Sequence, residues 1–301
     1  MIVEHPRCRL QGSFVALPTP FRGGEIDLAA LERLIEWHVA RGTDGLVIAG
    51  TTGESATLSD GERCALFDAA AGIARGRLPL IAGVGTNATR QSVELARHAT
   101  TAGYRGLLAV TPYYNRPGHR GLVLHYAAIA EASAVPLVLY NVPSRTGCDL
   151  QPETVAEVAA RFPHVVAVKE ALPSLERVRR LIAETPCAVI CGDDASVADF
   201  MALGAVGVIG VVNNVVPSET AELVRAAVPK GGDSVRAAEL VEFLAPLCRD
   251  LFLESNPVPV KAALGMMRLC GDEVRLPLAP LSAENRAQLE QTLRERKLLR
   301  A

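Results

Sequence analysis

The stretch LAALERLIEWHVARGTDGLVIA, at residues 28–49, contains both halves of the repeating unit from which we predict the fold. Its first part has apolar residues three or four positions apart, the spacing of an amphipathic helix, and Asp27 precedes it as a candidate N-cap. Its second part, at 46–49, is a short continuous apolar run, which is typical of a strand covered on both faces. The stretch therefore predicts a helix followed by a strand of a parallel sheet.

The same alternation of short apolar runs and helical spacing continues along the chain. Eight such runs lie at residues 14–17, 46–49, 80–84, 107–110, 137–140, 165–168, 188–191 and 207–211. Eight successive βα units of ordinary length indicate a closed (β/α)8 barrel, or TIM barrel, of the α/β class. An open, doubly wound sheet is the alternative.

Strand-like runs stop after residue 230. We therefore predict a catalytic barrel at 1–230 and a helical C-terminal region at 231–301. Three helices are expected in that region, at about 233–252, 258–269 and 283–299. Pro257 and Pro259 should lie at the start of the middle helix, because proline suits a first turn and breaks an interior.

The bulk properties of the chain argue against several classes of protein. The net charge of −2 and the pI of about 6.3 provide no basic field for nucleic acid or for a membrane surface. Residues 1–10 lack the apolar segment of a secretion signal, and no apolar stretch is long enough to span a membrane. The seven cysteines show no metal-binding spacing, and the histidines are scattered. We expect a cytoplasmic enzyme without a metal.

One short motif imitates a nucleotide site. GVGTNA, at 83–88, follows a predicted strand and matches the GxGxxA pattern of dinucleotide-binding proteins. However, it belongs to the third βα unit, and no acidic residue follows at the distance that ribose binding requires. We expect no nucleotide cofactor.

In a barrel of this kind the chemistry lies at the carboxyl ends of the strands, and Lys169 ends the sixth apolar run there. The chain has four lysines, and the other three, Lys230, Lys261 and Lys297, lie in polar or helical surroundings. Burial disfavours the charged ammonium, which would make Lys169 a neutral nucleophile. A core lysine paired with Glu170 or with another strand-end carboxylate is the alternative. Neighbouring strand residues should point to opposite faces, which weakens the pairing with Glu170.

Two further residues near the end of the fifth strand have functional side chains. Tyr140 ends that run at the height of Lys169, where its phenol could relay a proton. Arg145 follows in a loop, where its guanidinium could bind a substrate carboxylate. A core tyrosine and a solvated arginine are the ordinary alternatives.

Five motifs in this order resemble the dihydrodipicolinate synthase family of class I aldolases. They are GTTGESATL at 50–58, TPYYNRP at 111–117, YNVPSRTG at 140–147, VKEA at 168–171 and CGDDA at 191–195. The likeness covers nearly the whole chain, from about residue 12 to 281. It implies a TIM barrel that condenses pyruvate with aspartate 4-semialdehyde to 4-hydroxy-tetrahydrodipicolinate, in the diaminopimelate route to lysine.

The resemblance also implies roles for individual residues. Lys169 would form an imine with pyruvate, and Tyr140, Thr51 and Tyr114 would form a chain of hydroxyls that relays protons. Tyr114 would come from the neighbouring subunit of a dimer, and two dimers would form a homotetramer. This chemistry needs no cofactor.

The remaining implied residues bind the substrates. Thr52 would hold the pyruvate carboxylate and Arg145 the carboxylate of the semialdehyde, while the backbones of Gly192 and Ile209 would line the pocket. The chain departs from the family pattern at Leu172-Pro173-Ser174, where a small or polar turn is usual, and at Gly210, where serine is common. These departures leave the outer shape of the pocket open and do not change the expected imine chemistry.

Two other functions remain open at this point. A sister class I aldolase that acts on sialic acid, keto-deoxy sugar acids or hydroxy-oxoglutarate would share Lys169 and Tyr140. A catalytically silent barrel is the third reading, and the presence of all the hydroxyl residues argues against it. Arg145 and the TPYYN segment favour the synthase.

The resemblance also implies a regulatory site for lysine in sensitive family members, and this chain differs there. Ser55, Ala56, Asn87 and Tyr113 match the residue types of that site, whereas Asp60 and Arg63 replace histidines and Gln91 replaces a glutamate. An added cation and a lost carboxylate both weaken the binding of a ligand with two ammonium groups. We therefore expect an enzyme that is insensitive to lysine. Asp60 could partly offset the loss of affinity with its own carboxylate, or it could cap a helix instead.

Overall fold

The computed structural model describes residues 5–299, so that the ends of the two predicted regions, at 1–4 and 300–301, lie outside the described residues. The strands are β1 Gly12–Ala16, β2 Phe21–Arg22, β3 Glu25–Ile26, β4 Gly45–Ile48, β5 Leu80–Gly83, β6 Gly106–Val110, β7 Leu137–Asn141, β8 Val165–Glu170, β9 Ala188–Cys191 and β10 Gly207–Gly210. The helices are α1 Leu28–Ala40, α2 Asp60–Ala74, α3 Thr89–Thr101, α4 His119–Glu131, α5 Pro143–Thr146, α6 Pro152–Arg161, α7 Leu175–Glu184, α8 Val197–Leu203, α9 Pro217–Ala226, α10 Ser234–Asp250, α11 Val258–Met266 and α12 Ala283–Glu295.

Eight of the strands form a closed parallel barrel in the order β1-β10-β9-β8-β7-β6-β5-β4. The barrel closes because β1 pairs with both β10 and β4. The short strands β2 and β3 form a separate antiparallel hairpin. The predicted TIM barrel is confirmed, and each apolar run corresponds to one barrel strand.

The strand ends differ from the predicted runs where the function is expected. β7 continues through Asn141 and β8 through Glu170, so that Lys169 lies within a strand and is held by the barrel hydrogen bonds on both sides.

The predicted helix start at Asp27 is confirmed, because the carboxylate of Asp27 accepts a hydrogen bond from the backbone of Ala30 at 3.0 Å.

Alternation along the strands divides the apolar side chains into two cores. One core fills the barrel interior and includes Val138 and Tyr140 of β7 and Ile190 of β9. The other lies between the strands and the surrounding helices and includes Leu139 and Val168. Both faces of each strand are therefore buried, which explains the continuous apolar runs.

Three helices follow the barrel, as predicted, although each is shorter than the predicted range. α10 packs against α9 and α12, and α12 also packs against α11. Pro257 is the N-cap of α11 and Pro259 lies in its first turn, which confirms the expected helix start. Within residues 5–299, no helix combines the length and the apolarity needed to cross a bilayer.

Candidate active site

A cavity of about 210 Å³ lies at the carboxyl ends of the barrel strands. The structure brings seven of the eight predicted site residues together around it. They are Thr51, Thr52, Tyr140, Arg145, Lys169, Gly192 and Ile209. Tyr114 does not line this cavity in the single chain.

Lys169 and Tyr140 are the reactive side chains at the base of the cavity. They are directly opposite each other in the register of β7 and β8, and both are more than nine-tenths buried. The amine Nζ of Lys169 lies 4.3 Å from the centroid of the Tyr140 ring. A buried amine beside a phenol is an arrangement that suits nucleophilic and proton-transfer chemistry.

Glu170 points away from this cavity. Its carboxylate is fully buried behind the strand and forms an ion pair with Nε of Arg177 at 2.6 Å. The ordinary reading of Lys169 as the partner of Glu170 is therefore wrong, and the expected divergence of the two side chains is confirmed.

Gly192 makes room for the lysine. A Cβ atom at this position would lie 2.9 Å from Cε of Lys169 and 3.0 Å from the carbonyl oxygen of Glu170. The backbone N–H of Gly192 donates to that carbonyl at 2.8 Å. The absence of a side chain at Gly192 thus permits the lysine to pass along the β9 end into the cavity.

Gly210, one of the two departures from the family pattern, lies beside a buried carboxylate. A Cβ atom on Gly210 would lie 2.4 Å from Oδ1 of Asp194. That carboxylate accepts hydrogen bonds from the backbone of Val211 and Val212, and burial raises the pKa of Asp194 to about 6. A serine at 210 would require Asp194 to move, so the glycine matches the position of the carboxylate in this chain.

The other departure forms an ordinary turn. Ser174 is the N-cap of α7, because its hydroxyl accepts a hydrogen bond from the backbone of Arg177 at 3.3 Å. The backbone N–H of Leu172 donates to the Glu170 carboxylate at 2.8 Å. The segment Leu172-Pro173-Ser174 therefore connects β8 to α7 and does not line the cavity.

The C-terminal region contributes a residue that the sequence interpretation missed. Asn256, just before α11, lines the cavity and donates from Nδ2 to the hydroxyl of Thr52 at 2.9 Å. Because that hydroxyl oxygen accepts from Asn256, its own hydrogen is free to point to a substrate carboxylate. The signal in the sequence was a polar residue in front of Pro257 at the start of an apolar helix.

A second missed feature is a buried ion pair beneath the same region. Lys261 of α11 lies 2.5 Å from Glu54, and both side chains are fully buried. Burial lowers the pKa of Lys261, and the charge of Glu54 opposes this shift. Lys169 and Lys261 are therefore both buried, the first at a strand end and the second within a helix. A single charge in the apolar helix VPVKAALGM was the available signal.

Arg145 lies at the mouth of the cavity. It belongs to the one-turn helix α5 and not to a loop, and its side chain is exposed. It also lines an adjoining cavity of about 320 Å³, together with Thr51 and Asn256. An anion that enters the site would meet the guanidinium at the entrance.

Tyr114 is placed differently from the other predicted residues. Its side chain is 90% exposed, and its backbone has a φ of 71°, in the left-handed region that non-glycine residues seldom adopt. The surrounding turn projects this large apolar ring into solvent in the single chain.

Gly83 and Gly85, the two glycines of the GVGTNA motif, lie where neighbouring barrel strands approach closely. A Cβ atom on Gly83 would lie 2.2 Å from the carbonyl oxygen of Ala49, and one on Gly85 would lie 2.3 Å from the backbone nitrogen of Val110. Both glycines therefore serve close packing within the barrel. Across residues 5–299, no cluster of histidine, cysteine and carboxylate side chains has the arrangement of a metal site.

The residues at the implied lysine site are already engaged within the chain. Arg63 is buried and donates from Nη2 to the carbonyl of Gly83 at 2.5 Å. Gln91 donates its side-chain amide to the carboxylate of Asp60. Ser59, and not Asp60, is the N-cap of α2, so the alternative in which Asp60 caps the helix is wrong.

The closed barrel, with a buried amine beside a phenol in the cavity at its strand ends, defines a (β/α)8 protein with the side chains of a lysine-dependent enzyme. The model of the dihydrodipicolinate synthetase family matches residues 9–296. The chain therefore belongs to this family.

Individual relatives agree with this assignment. The chain is 45% identical over 293 residues to the 4-hydroxy-tetrahydrodipicolinate synthase of Persephonella marina, which covers 96% of this chain and 99% of the relative. The crystal structure of dihydrodipicolinate synthase from Aquifex aeolicus superimposes with a TM-score of 0.94 at 44% identity, and covers 97% of this chain and all of that chain. The chloride-inhibited dihydrodipicolinate synthase from Acinetobacter baumannii, solved in complex with pyruvate, has a TM-score of 0.92 at 42% identity, and covers 96% of this chain and all of that chain.

Proposed function

We propose that this enzyme condenses pyruvate with aspartate 4-semialdehyde to 4-hydroxy-tetrahydrodipicolinate, in the diaminopimelate route to lysine. The observation that carries the proposal is the buried amine of Lys169, which lies beside Tyr140 in a cavity with Thr51, Thr52 and Arg145 at its walls and mouth. Relatives that are 44% to 45% identical to this chain are named 4-hydroxy-tetrahydrodipicolinate synthase, after the product of this reaction.

In the first half of the reaction, the neutral amine of Lys169 attacks the ketone carbon of pyruvate. The carbinolamine then loses its hydroxyl as water and becomes an imine. One proton must leave the amine nitrogen and another must reach the departing oxygen. We assign this relay to the hydroxyls of Tyr140 and Thr51, with Thr52 donating to the pyruvate carboxylate.

In the second half, the pyruvate methyl group loses a proton and the resulting enamine attacks the aldehyde carbon of the semialdehyde. The aldehyde oxygen takes up a proton and becomes the 4-hydroxyl group. The amino group of the semialdehyde then attacks the imine carbon, which closes the ring and releases Lys169. Arg145, at the entrance, would hold the carboxylate of the semialdehyde through two parallel hydrogen bonds.

We further propose that the working form is a homotetramer made of two dimers, in which Tyr114 of one subunit completes the hydroxyl relay of its partner. The exposed ring of Tyr114 supports this assignment, since a large apolar side chain held away from its own cavity needs another surface. The seven unpaired cysteines, five of them buried, suit a reducing compartment, and we propose a cytoplasmic location.

A coupled assay tests the proposed function. Purified enzyme should consume pyruvate and aspartate 4-semialdehyde together, and a second enzyme that uses the condensation product reports its formation. Omission of either substrate should abolish the signal. Turnover of sialic acid or of a keto-deoxy sugar acid at a higher kcat/KM than the condensation would assign the chain to a sister aldolase.

A further inference from the structure

The residues that follow Tyr140 and Lys169 also face each other. Asn141 and Glu170 are directly paired in the register of β7 and β8, and both side chains are fully buried. Because side chains alternate along a strand, these two point out of the barrel, toward the surrounding helices. The reactive pair inside the barrel thus has a polar pair directly behind it.

Arg177 of α7 joins these outward side chains. Its Nε donates to Oε2 of Glu170 at 2.6 Å, and its Nη2 lies 2.9 Å from Oδ1 of Asp149. The same guanidinium donates to the carbonyl oxygen of Leu150. The amide of Asn141 donates both to Glu170 and to Asp149, at 3.0 Å each. One planar cation therefore ties β8 to the segment that follows β7.

The Glu170 carboxylate depends on these contacts. Burial raises the pKa of Glu170, whereas the backbone N–H of Leu172 and the charge of Arg177 lower it. A carboxylate with no solvent contact needs an opposing charge and several donors to remain ionised. Arg177 supplies the charge, and its side chain is itself only 12% exposed.

The network also reaches the third strand of the cavity. The carbonyl oxygen of Glu170 accepts a hydrogen bond from the backbone of Gly192 at 2.8 Å, and that of Asn141 accepts one from Ala171 at 3.1 Å. A shift of Glu170 would therefore move the backbone beside Lys169 and beside Gly192 together. Arg177 itself does not line the cavity, so its influence on a substrate must act through these strands.

We propose that Arg177 is a positioning residue for the reaction. It holds the ends of β7 and β8 so that the amine of Lys169 and the phenol of Tyr140 keep the separation that imine formation requires. This inference rests on the proposed function. Misplacement of reacting groups by about 1 Å can reduce a rate by about a hundredfold, so a small change in this clamp affects turnover before it affects binding.

The test uses Arg177→Lys, because a lysine retains the positive charge but cannot reach Glu170, Asp149 and Leu150 at once. Arg180→Gln is the matched control. Arg180 lies on the same helix and pairs with Glu153 of α6 and with Glu184, at 40% exposure and away from the strands. Arg177→Lys thus loses the simultaneous contacts that join β8 to the segment after β7. Arg180→Gln loses ion pairs of α7 that touch neither strand.

The measurements are the rate at which borohydride traps the pyruvate adduct and the steady-state kcat and KM for pyruvate. In Arg177→Lys we expect kcat and the trapping rate at saturating pyruvate to fall about tenfold or more, while KM changes less than about threefold. Arg180→Gln should behave as wild type. A lower unfolding midpoint in Arg177→Lys with an unchanged kcat would show a purely structural role and overturn the proposal.

A double variant covers the case in which Arg177→Lys does not fold. Glu170→Gln with Arg177→Gln removes both charges, so no buried charge is left without a partner. We expect this protein to fold and to show the same loss of kcat, and a wild-type kcat would overturn the proposal. Failure of the proposed function has a different signature, since the wild type itself would then trap no pyruvate.

Discussion

Lys169 and Tyr140 are opposite each other on paired strands, with the lysine amine 4.3 Å from the centroid of the tyrosine ring. The two residues come from successive βα units, and the parallel pairing brings their side chains to the same depth of the barrel. This relationship places the proposed nucleophile and the proposed proton donor side by side in a buried position.

The first prediction concerns the nucleophile. Treatment of the wild type with pyruvate and borohydride should add one reduced three-carbon unit per chain, because only an imine is trapped in this way. Intact-protein mass spectrometry measures the adduct, and Lys169→Ala should abolish it. Lys230→Ala and Lys297→Ala serve as controls and should be labelled as the wild type is. An adduct mapped to Lys230, Lys261 or Lys297 would contradict the mechanism.

The second prediction concerns specificity at the cavity mouth. Arg145 lies at the mouth of the cavity, and its side chain is exposed in the single chain. We therefore expect Arg145→Ala to remove about 1.5 to 3 kcal/mol of transition-state binding, the range for a hydrogen bond to a charged group. The loss should appear in kcat/KM for aspartate 4-semialdehyde, whereas trapping of pyruvate should be nearly unchanged.

Arg145→Lys is the matched variant, since it keeps the charge and loses the fork geometry. It should recover part of the lost kcat/KM. An equal loss of pyruvate trapping and of condensation in Arg145→Ala would indicate a structural role for this residue.

The third prediction concerns Tyr114. If its hydroxyl acts in the partner's site, Tyr114→Phe and Lys169→Ala should each be nearly inactive alone. Mixed subunits should regain activity, because one site of a mixed dimer contains both an intact Lys169 and an intact Tyr114. The recovered activity is measured after subunit exchange, with separately stored variants as the control. A fully active monomer in analytical ultracentrifugation would contradict the assignment.

The fourth prediction concerns the buried pair of Glu54 and Lys261. Lys261→Met should destabilise the protein by about 3 to 5 kcal/mol, because it leaves a buried carboxylate without its opposing charge. Urea unfolding measures the change. The double variant Glu54→Gln with Lys261→Met should recover much of it, since neither charge then remains.

The control for this prediction is an exposed ion pair. Arg236 pairs with Glu222 at 2.7 Å, and both side chains are 43% exposed. Arg236→Met should cost at most about 1 kcal/mol, as is usual for exposed pairs. Equal costs for Lys261→Met and Arg236→Met would show that the buried pair is unimportant for stability.

The fifth prediction concerns regulation. We expect millimolar lysine to leave the enzyme essentially uninhibited. Arg63 places a buried cation close to Tyr113, and Gln91 offers an amide, already bound to Asp60, where a carboxylate could pair with an ammonium group. A lost charge-assisted hydrogen bond of about 1.5 to 3 kcal/mol corresponds to about a tenfold or greater loss of affinity. An inhibition titration measures the effect, and half-inhibition well below a millimolar would contradict it.

The variant Gln91→Glu with Arg63→His tests the cause. It restores the carboxylate and removes the fixed cation, so it should gain sensitivity to lysine. Gln91→Ala is the control, because it also breaks the contact with Asp60 but adds no charge.

The sequence by itself determined the barrel and the position of its chemistry. The hydrophobic periodicity showed which face of each segment is buried. This information is local, because the period of a helix or a strand can be recognised within a few residues. Eight βα units in succession leave few other ways to bury all the apolar faces, and they place Lys169 and Tyr140 at strand ends. The assignment of Thr51, Thr52 and Tyr114 to the site came from the motifs that the chain shares with its family.

Only the tertiary structure decided which distant residues meet. Lys261 and Glu54 are 207 residues apart along the chain, and Asn256 and Thr52 are 204 apart. The contact of Arg177 with Glu170 likewise depends on how α7 docks on the barrel. These polar pairs are set by the closure of the barrel and by the packing of the C-terminal helices on it. Local sequence patterns do not encode these long-range contacts. A charged residue has the same local sequence signal whether the folded chain buries it beside a partner or leaves it in solvent.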